Sequence, residues 1–254
     1  MIRVVFNQKG GVGKSSITCN LAAVFASQGK SCLVVDLDPQ GNSTHYVTGI
    51  ESREIEKGVA TFFENTLSFK LLKDDPAELI TPSPYENLSV LASNPELEFL
   101  ERKLEAKHKI YKLRNTLREL EKYIDIILID TAPSLNFYTR SALIAADRVL
   151  IPFDCDDFSR KALYQIMGEI EDIKEDHNPE LDIDGIIVNQ FQARASLPQK
   201  LVDELIEEGL PVLPVKLTSS VKMKESHQLC KPMIHLAPNH ALTKQFVELA
   251  DILG

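Results

Sequence analysis

The chain has 254 residues, 37 Asp and Glu against 28 Lys and Arg, and a formal net charge of -9. An apolar fraction of 44% with 26% charged residues is that of a folded globular protein, which excludes a disordered chain. Its longest apolar runs are strand-length, so no membrane-spanning helix is expected. The dispersed Cys19, Cys32, Cys155 and Cys230 form no CxxC pair and read as small buried groups in a reduced, cytoplasmic protein.

Strand and helix signals alternate along the chain. Ile2–Phe6 is a short apolar run that starts at once, leaving no room for a signal peptide. A glycine loop follows, then a helical pattern over Ile17–Gln28 that Gly29 stops. Ser31–Asp36 reads as the next strand, expected beside the first. Ile55–Asn65 is helical in pattern, and Pro76, Pro82 and Pro84 mark loops. Leu88–Ala92 is a short strand, and the leucine spacing over Glu96–Lys122 predicts one long helix. Tyr123–Asp130 contains four consecutive apolar residues, Ile126 to Ile129, as in a buried parallel strand covered on both faces. Arg148–Pro152, Gly185–Asn189 and Val212–Val215 have the same character. Helices are expected around Arg160–Lys174 and Leu197–Glu208 and over Ala241–Leu253. The alternation predicts an α/β fold, one doubly wound, mostly parallel sheet flanked by helices, with ligands at the carboxyl ends of its strands.

The sharpest chemical signal is Lys9-Gly10-Gly11-Val12-Gly13-Lys14-Ser15-Ser16, between the first strand and first helix. A phosphate chain needs converging backbone N–H groups, and glycines leave room for its approach while the following helix adds its positive end. Lys14 is placed to reach the β and γ phosphates and Ser15 to ligate magnesium. The ordinary GxxxxGK[ST] pattern has glycine where this chain has Gln8, and a second lysine, Lys9, stands at the loop's mouth. That lysine needs a phosphate or carboxylate partner, and a neighbouring subunit's nucleotide is one source.

Asp36 and Asp38 follow in Val-Val-Asp-Leu-Asp-Pro-Gln-Gly-Asn, and Asp130 ends Ile-Ile-Leu-Ile-Asp-Thr-Ala-Pro-Ser. If the strand persists that far, alternation turns Asp36 and Asp38 to the same side, toward the nucleotide, one to hold water near the γ phosphate and the other to support the magnesium shell, with a strand-end acidic turn as the alternative. Asp130 stands where nucleotide enzymes hold magnesium through water. Ser15, Asp38 and Asp130 form the expected metal set, and water is the simplest nucleophile. Asn189, ending a later strand, is placed either to bond an adenine edge or to cap a turn, with Pro214 shaping the same pocket. The six histidines show no metal-ligand spacing.

Together, Lys9–Ser16, Asp36–Asn42, Asp130–Ser134 and the stretch Asn189–Leu201 resemble the ParA/Soj branch of the deviant Walker ATPases, which includes MinD. The resemblance covers essentially the whole chain and implies one ATPase domain over 1–254. It implies an ATP- and Mg2+-dependent homodimer with two sandwiched nucleotides, in which Lys9 contacts the opposite subunit's phosphates. Lys14 would stabilise phosphate charge, Asp38 would activate water and Asp130 would organise the metal shell. It further implies non-specific binding to double-stranded DNA, and hydrolysis stimulated by a ParB-like or other cargo-linked adaptor. Plasmids, chromosomes or protein assemblies would thereby be positioned by a cytoplasmic, nucleoid-associated protein. Arg194 and Lys222 fall at basic positions of that pattern. The usual arginine before the second is replaced in Lys-Leu-Thr-Ser, with Lys216, Lys222 and Lys224 nearby to compensate; a solvated surface is the plainer reading. Asp154 to Asp184 holds eleven acids and three bases, whereas Lys216 to Lys231 holds four lysines and one glutamate. Only the second stretch suits an anionic partner. The closing helix lacks the basic charge of a membrane-targeting one. The alternative is an ATP-gated protein-recruitment switch that does not use DNA as its track.

Overall fold

A computed structural model describes residues 1–68, 75–155, 159–192 and 196–254. Its strands are β1 (Ile2–Val5), β2 (Cys32–Asp36), β3 (Ile80–Pro82), β4 (Leu88–Leu91), β5 (Ile126–Asp130), β6 (Arg148–Asp154), β7 (Asp182–Phe191) and β8 (Val212–Thr218). They form one sheet in the order β3-β4-β2-β5-β1-β6-β7-β8, parallel throughout except for β3, which runs antiparallel to β4 at the edge. Pro82 closes β3, and an edge strand tolerates the missing N–H. The helices in the first half are α1 (Lys14–Ser27), α2 (Asn42–Thr48), α3 (Val59–Leu67), α4 (Leu97–Ala106) and α5 (Lys112–Leu120). The second half adds α6 (Phe137–Ala145), α7 (Ser159–Asp176), α8 (Ser196–Glu207), α9 (Val221–Gln228), α10 (Met233–Leu236) and α11 (Ala241–Leu253).

Alternation along each strand divides the apolar residues between two cores. Ile127 and Ile129 of β5 face α3 to α7, with Phe63, Leu104, Leu117, Tyr138 and Ile166. Ile126 and Leu128 face the other layer, where α1 and α11 contribute Leu21, Phe25, Phe246 and Leu249. The consecutive apolar run of β5 is thus the signature of a strand covered on both sides. Helix α1 is buried almost all round because the sheet lies on one side and α11 on the other.

The structure departs from the sequence expectations in four places. β5 lies between β1 and β2, so the strand ending in Asp36 is one position removed from the phosphate-loop strand. The long helix over Glu96–Lys122 is two helices, because His108 adopts a left-handed φ of 52° and Lys109 N–H bonds back to Leu104 O. No glycine or proline marks that break. Helix α3 starts at Val59, not Ile55: the chain passes so close to β4 that a Cβ on Gly58 would lie 2.1 Å from Ala92 O. The sequence pattern also missed α2, α6, α9, α10 and β3, which are short.

Candidate nucleotide-binding active site

The loop between β1 and α1 lies at the carboxyl edge of the central strand. Gly11 and Gly13 take left-handed φ values of 78° and 91°, and a Cβ on Gly13 would meet Asn189 Nδ2 at 2.2 Å. Side chains hold the loop's carbonyls. Lys14 Nζ donates to Lys9 O (3.0 Å), Gln190 Nε2 to Gly11 O (2.8 Å) and Asn189 Nδ2 to Val12 O (2.8 Å). A loop whose carbonyls are so occupied, at the positive end of a buried helix, leaves N–H groups for an anion. The Val12 side chain is itself buried in the protein. Gly10, Gly11, Gly13, Lys14, Ser15 and Ser16 line a cleft of about 600 Å³ together with Asp38, Gln40 and Pro133.

Lys14 is buried. Burial lowers its pKa, while the neighbouring Asp130 and Asp38 carboxylates oppose that shift. Asp130 is fully buried at the end of β5, in register with Val5 on one side and Asp36 on the other. Ser43 donates to its Oδ2 at 2.7 Å and Ser15 faces the same carboxylate. Oδ1 has no hydrogen-bond partner among the described residues. Burial raises the pKa of Asp130, with hydrogen bonds from Ser15 and Ser43 opposing.

Asp36 departs from expectation. Expected to face the nucleotide, it is 0% exposed and does not line the cleft. Its Oδ2 accepts from Thr44 N–H (2.7 Å) and Thr44 Oγ1 (2.8 Å), and its Oδ1 from Asp38 N–H (3.1 Å). It therefore braces α2 and the Asp38 turn. Burial, then the charge of Asp130, pushes its pKa upward. β2 ends at Asp36, so the turn and not strand alternation brings Asp38 to the cleft. There Asp38 Oδ1 accepts from Gln40 N–H at 3.0 Å.

Lys9 folds back within its own chain, its Nζ 2.7 Å from Asp154 Oδ2 at the end of β6. A second cleft of about 240 Å³ adjoins the first and is lined by Asn189, Gln190, Thr218, Ser219, Met223 and His227, among others. Asn189 reaches this cleft, with its amide on the loop carbonyl. Pro214 does not: it is exposed midway along β8, and Thr218 to Ser220 occupy the place assigned to it. Arg194 lies outside the described residues. Lys216 Nζ bonds Gln199 Oε1 (2.9 Å) and stands 4.9 Å over the Phe191 ring. Lys222 pairs with Glu225 within α9, and the exposed Lys224 borders the second cleft.

Sequence reasoning missed Gln190, Asp154, Ser43, Thr44, Tyr46 and His227. Only the Asn-Gln pair, beside the already noted Asn189, carried a local signal. Cys19 and Cys32 are buried as expected, whereas Cys155 and Cys230 are half-buried, with Cys230 Sγ 3.1 Å from His45 Nε2. Among the described residues no group of three or more His, Cys, Asp or Glu is placed to hold a metal ion. No helix among them is long and apolar enough to cross a membrane.

Loop, buried carboxylate and doubly wound sheet define the class, a P-loop nucleotide-binding protein. The AAA domain family matches residues 1–183. Chromosome partitioning protein ParA of Myxococcus xanthus is 36% identical over 235 residues, covering 91% of this chain and 79% of its own. Chromosome-partitioning ATPase Soj of Thermus thermophilus is 32% identical over 246 residues, covering 96% and 92%. Cobyrinic acid a,c-diamide synthase of Mycobacterium smegmatis, solved with ADP and magnesium, superposes with a TM-score of 0.83 at 25% identity, covering 99% and 93%. Similar folds thus serve different chemistries, and the sequence relatives decide between them. The chain belongs to the ParA/Soj family of P-loop ATPases.

Proposed function

We propose that the chain is a Mg2+-dependent positioning ATPase, working as one unit over 1–254. It forms an ATP-sandwich homodimer, binds double-stranded DNA non-specifically and leaves it when a cargo-linked adaptor of ParB type stimulates hydrolysis. The observation that carries this reading is Lys9, a second lysine at the mouth of a complete phosphate loop. In the monomer Asp154 holds it at 2.7 Å. A phosphate chain on a second copy offers the same ammonium more negative charge, so dimerisation exchanges one partner for another. The names of the relatives, chromosome partitioning proteins, agree with a positioning role.

The donor set fits a hard cation, because the buried, unpartnered Asp130 Oδ1 needs a ligand or a coordinated water, with Ser15 beside it. Mg2+ held by Ser15, and through water by Asp130 and Asp38, would supply positive charge to the β and γ phosphate oxygens. Lys14 releases Lys9 O and turns to those phosphates, adding charge where it builds up in phosphoryl transfer. Asp38 at the cleft wall orients the attacking water. Asn189 and Gln190 hold the loop, with the base seated beside Asn189 in the second cleft. Lys216, Lys222, Lys224 and Arg194 would meet DNA phosphates, doubled by two-fold symmetry.

The test is retention of Asp38→Ala protein on non-specific duplex DNA in ATP versus ADP, with a salt titration. Retention in ATP alone that falls steeply with salt supports the DNA cycle. No retention at low salt, from protein shown to bind ATP and dimerise, overturns it in favour of an ATP-gated protein-recruitment switch. The ion pair between Lys222 and Glu225 is the feature that favours this second reading.

A further inference from the structure

The phosphate loop and the lysine-bearing helix α9 meet at one imidazole. His227, in the last turn of α9, shares a hydrogen bond of 2.7 Å with Ser16 Oγ. Its ring stacks on Tyr46 of α2, with centroids 4.3 Å apart and planes inclined by 24°. Burial lowers its pKa, so the neutral ring keeps one donor and one acceptor nitrogen. The seam continues through polar groups. Tyr46 OH contacts the buried Ser226 Oγ, also on α9, and accepts from Asn20 Nδ2 (3.1 Å). Asn20 Oδ1 in turn accepts from Met233 N–H (2.8 Å). Ser16 and His227 line both clefts, so this hydrogen bond stands on the boundary between them.

Ser16 directly follows the Lys14-Ser15 pair, and its hydroxyl has a single proton to give. A phosphate chain entering the loop competes with His227 for that hydroxyl, and His227 is fixed to the helix that carries Lys222 and Lys224. We propose that His227 is a positioning residue that passes nucleotide occupancy from Ser16 to α9. This sets the orientation of the lysines that the proposed function assigns to DNA, and in that respect the inference rests on that reading. Coupling of this kind needs an element with two arrangements that both sites bias, and α9 is the element assigned that part.

The experiment is amide hydrogen exchange over residues 221–233 of the full chain, without nucleotide, with ADP·Mg2+ and with a non-hydrolysable ATP analogue. Two variants divide the contacts of His227. His227→Phe keeps a ring on Tyr46 and loses the hydrogen bond, whereas His227→Gln keeps an amide for Ser16 and loses the ring. In the wild type, nucleotide changes α9 exchange several-fold. His227→Phe removes that response, and His227→Gln restores at least half of it. Nucleotide affinity in His227→Phe shifts by about two- to tenfold, the range of one hydrogen bond. An α9 indifferent to nucleotide in the wild type, or a full response in a folded His227→Phe, overturns the proposal. The readout contains no DNA, so it separates failure of this link from failure of the DNA reading.

Discussion

The two flanks of the phosphate loop are built differently. On the β5 side the loop faces charge: Asp130 and Asp38 stand near Lys14, Asp38 held by Gln40 N–H in its own turn and Asp130 by the Ser43 hydroxyl of α2. On the β7–α9 side it faces neutral amides and an imidazole, Asn189, Gln190 and His227, which arrive from 177, 179 and 211 positions away in the chain. In the proposed function the first flank does the chemistry on phosphate. The second holds the loop in shape and connects it to the rest of the molecule. Charge removed from the first should abolish turnover, whereas contacts removed from the second should weaken binding by graded amounts.

The largest effect is expected at Lys14. Lys14→Ala removes the buried ammonium, and phosphate release in steady state should fall by about 10²–10³-fold, with thermal unfolding little changed. Asp38→Ala comes next. Turnover should drop by about 10²-fold or more while ATP titrations show retained binding, because a water-orienting carboxylate acts only in the reaction. Equal losses in binding and turnover at Asp38 would erase the contrast between the flanks.

On the other flank, Asn189→Ala and Gln190→Ala each free one loop carbonyl. Each should weaken ADP binding by about two- to tenfold, read by calorimetry, with the larger loss at the less exposed Asn189. A double variant no weaker than either single one would show that the two amides act as one clamp.

The smallest effect belongs to a site outside both flanks. Asp147 accepts from Ile2 N–H and from Arg118. Burial alone would raise its pKa, but these partners outweigh it and hold the carboxyl below its usual range. Its stabilisation is therefore complete above the unfolded-state pKa of about 4 and is lost as pH falls through the lower folded value. Asp147→Asn should lower the thermal midpoint by a few degrees at pH 7, with the difference shrinking toward pH 3.

Much of the first flank was legible because its chemistry is local. Glycines, Lys14 and Ser15 sit in one octapeptide, and Asp130 ends an apolar run whose composition already announced a strand buried on both faces. Alternation failed at Asp36, since it describes a strand while Asp38 sits in the turn beyond it, and only the inserted β5 shows which carboxylate meets the loop. The second flank was almost mute. Asn189 was noticed for a base edge, yet its amide lies on Val12 O, and Gln190 and His227 carry no motif. The His108 break escaped for a related reason, a left-handed turn without glycine. Contacts between distant segments are set by how the strands are ordered, which periodicity does not encode.

In the proposed dimer the site of one chain is completed by Lys9 of another. The direct measurement is the mass of Asp38→Ala protein by light scattering in ATP·Mg2+ and in ADP·Mg2+, repeated with Lys9→Ala added. A doubled mass in ATP alone, abolished by Lys9→Ala, is the result expected. One mass in both nucleotides, or a dimer indifferent to Lys9, would contradict it.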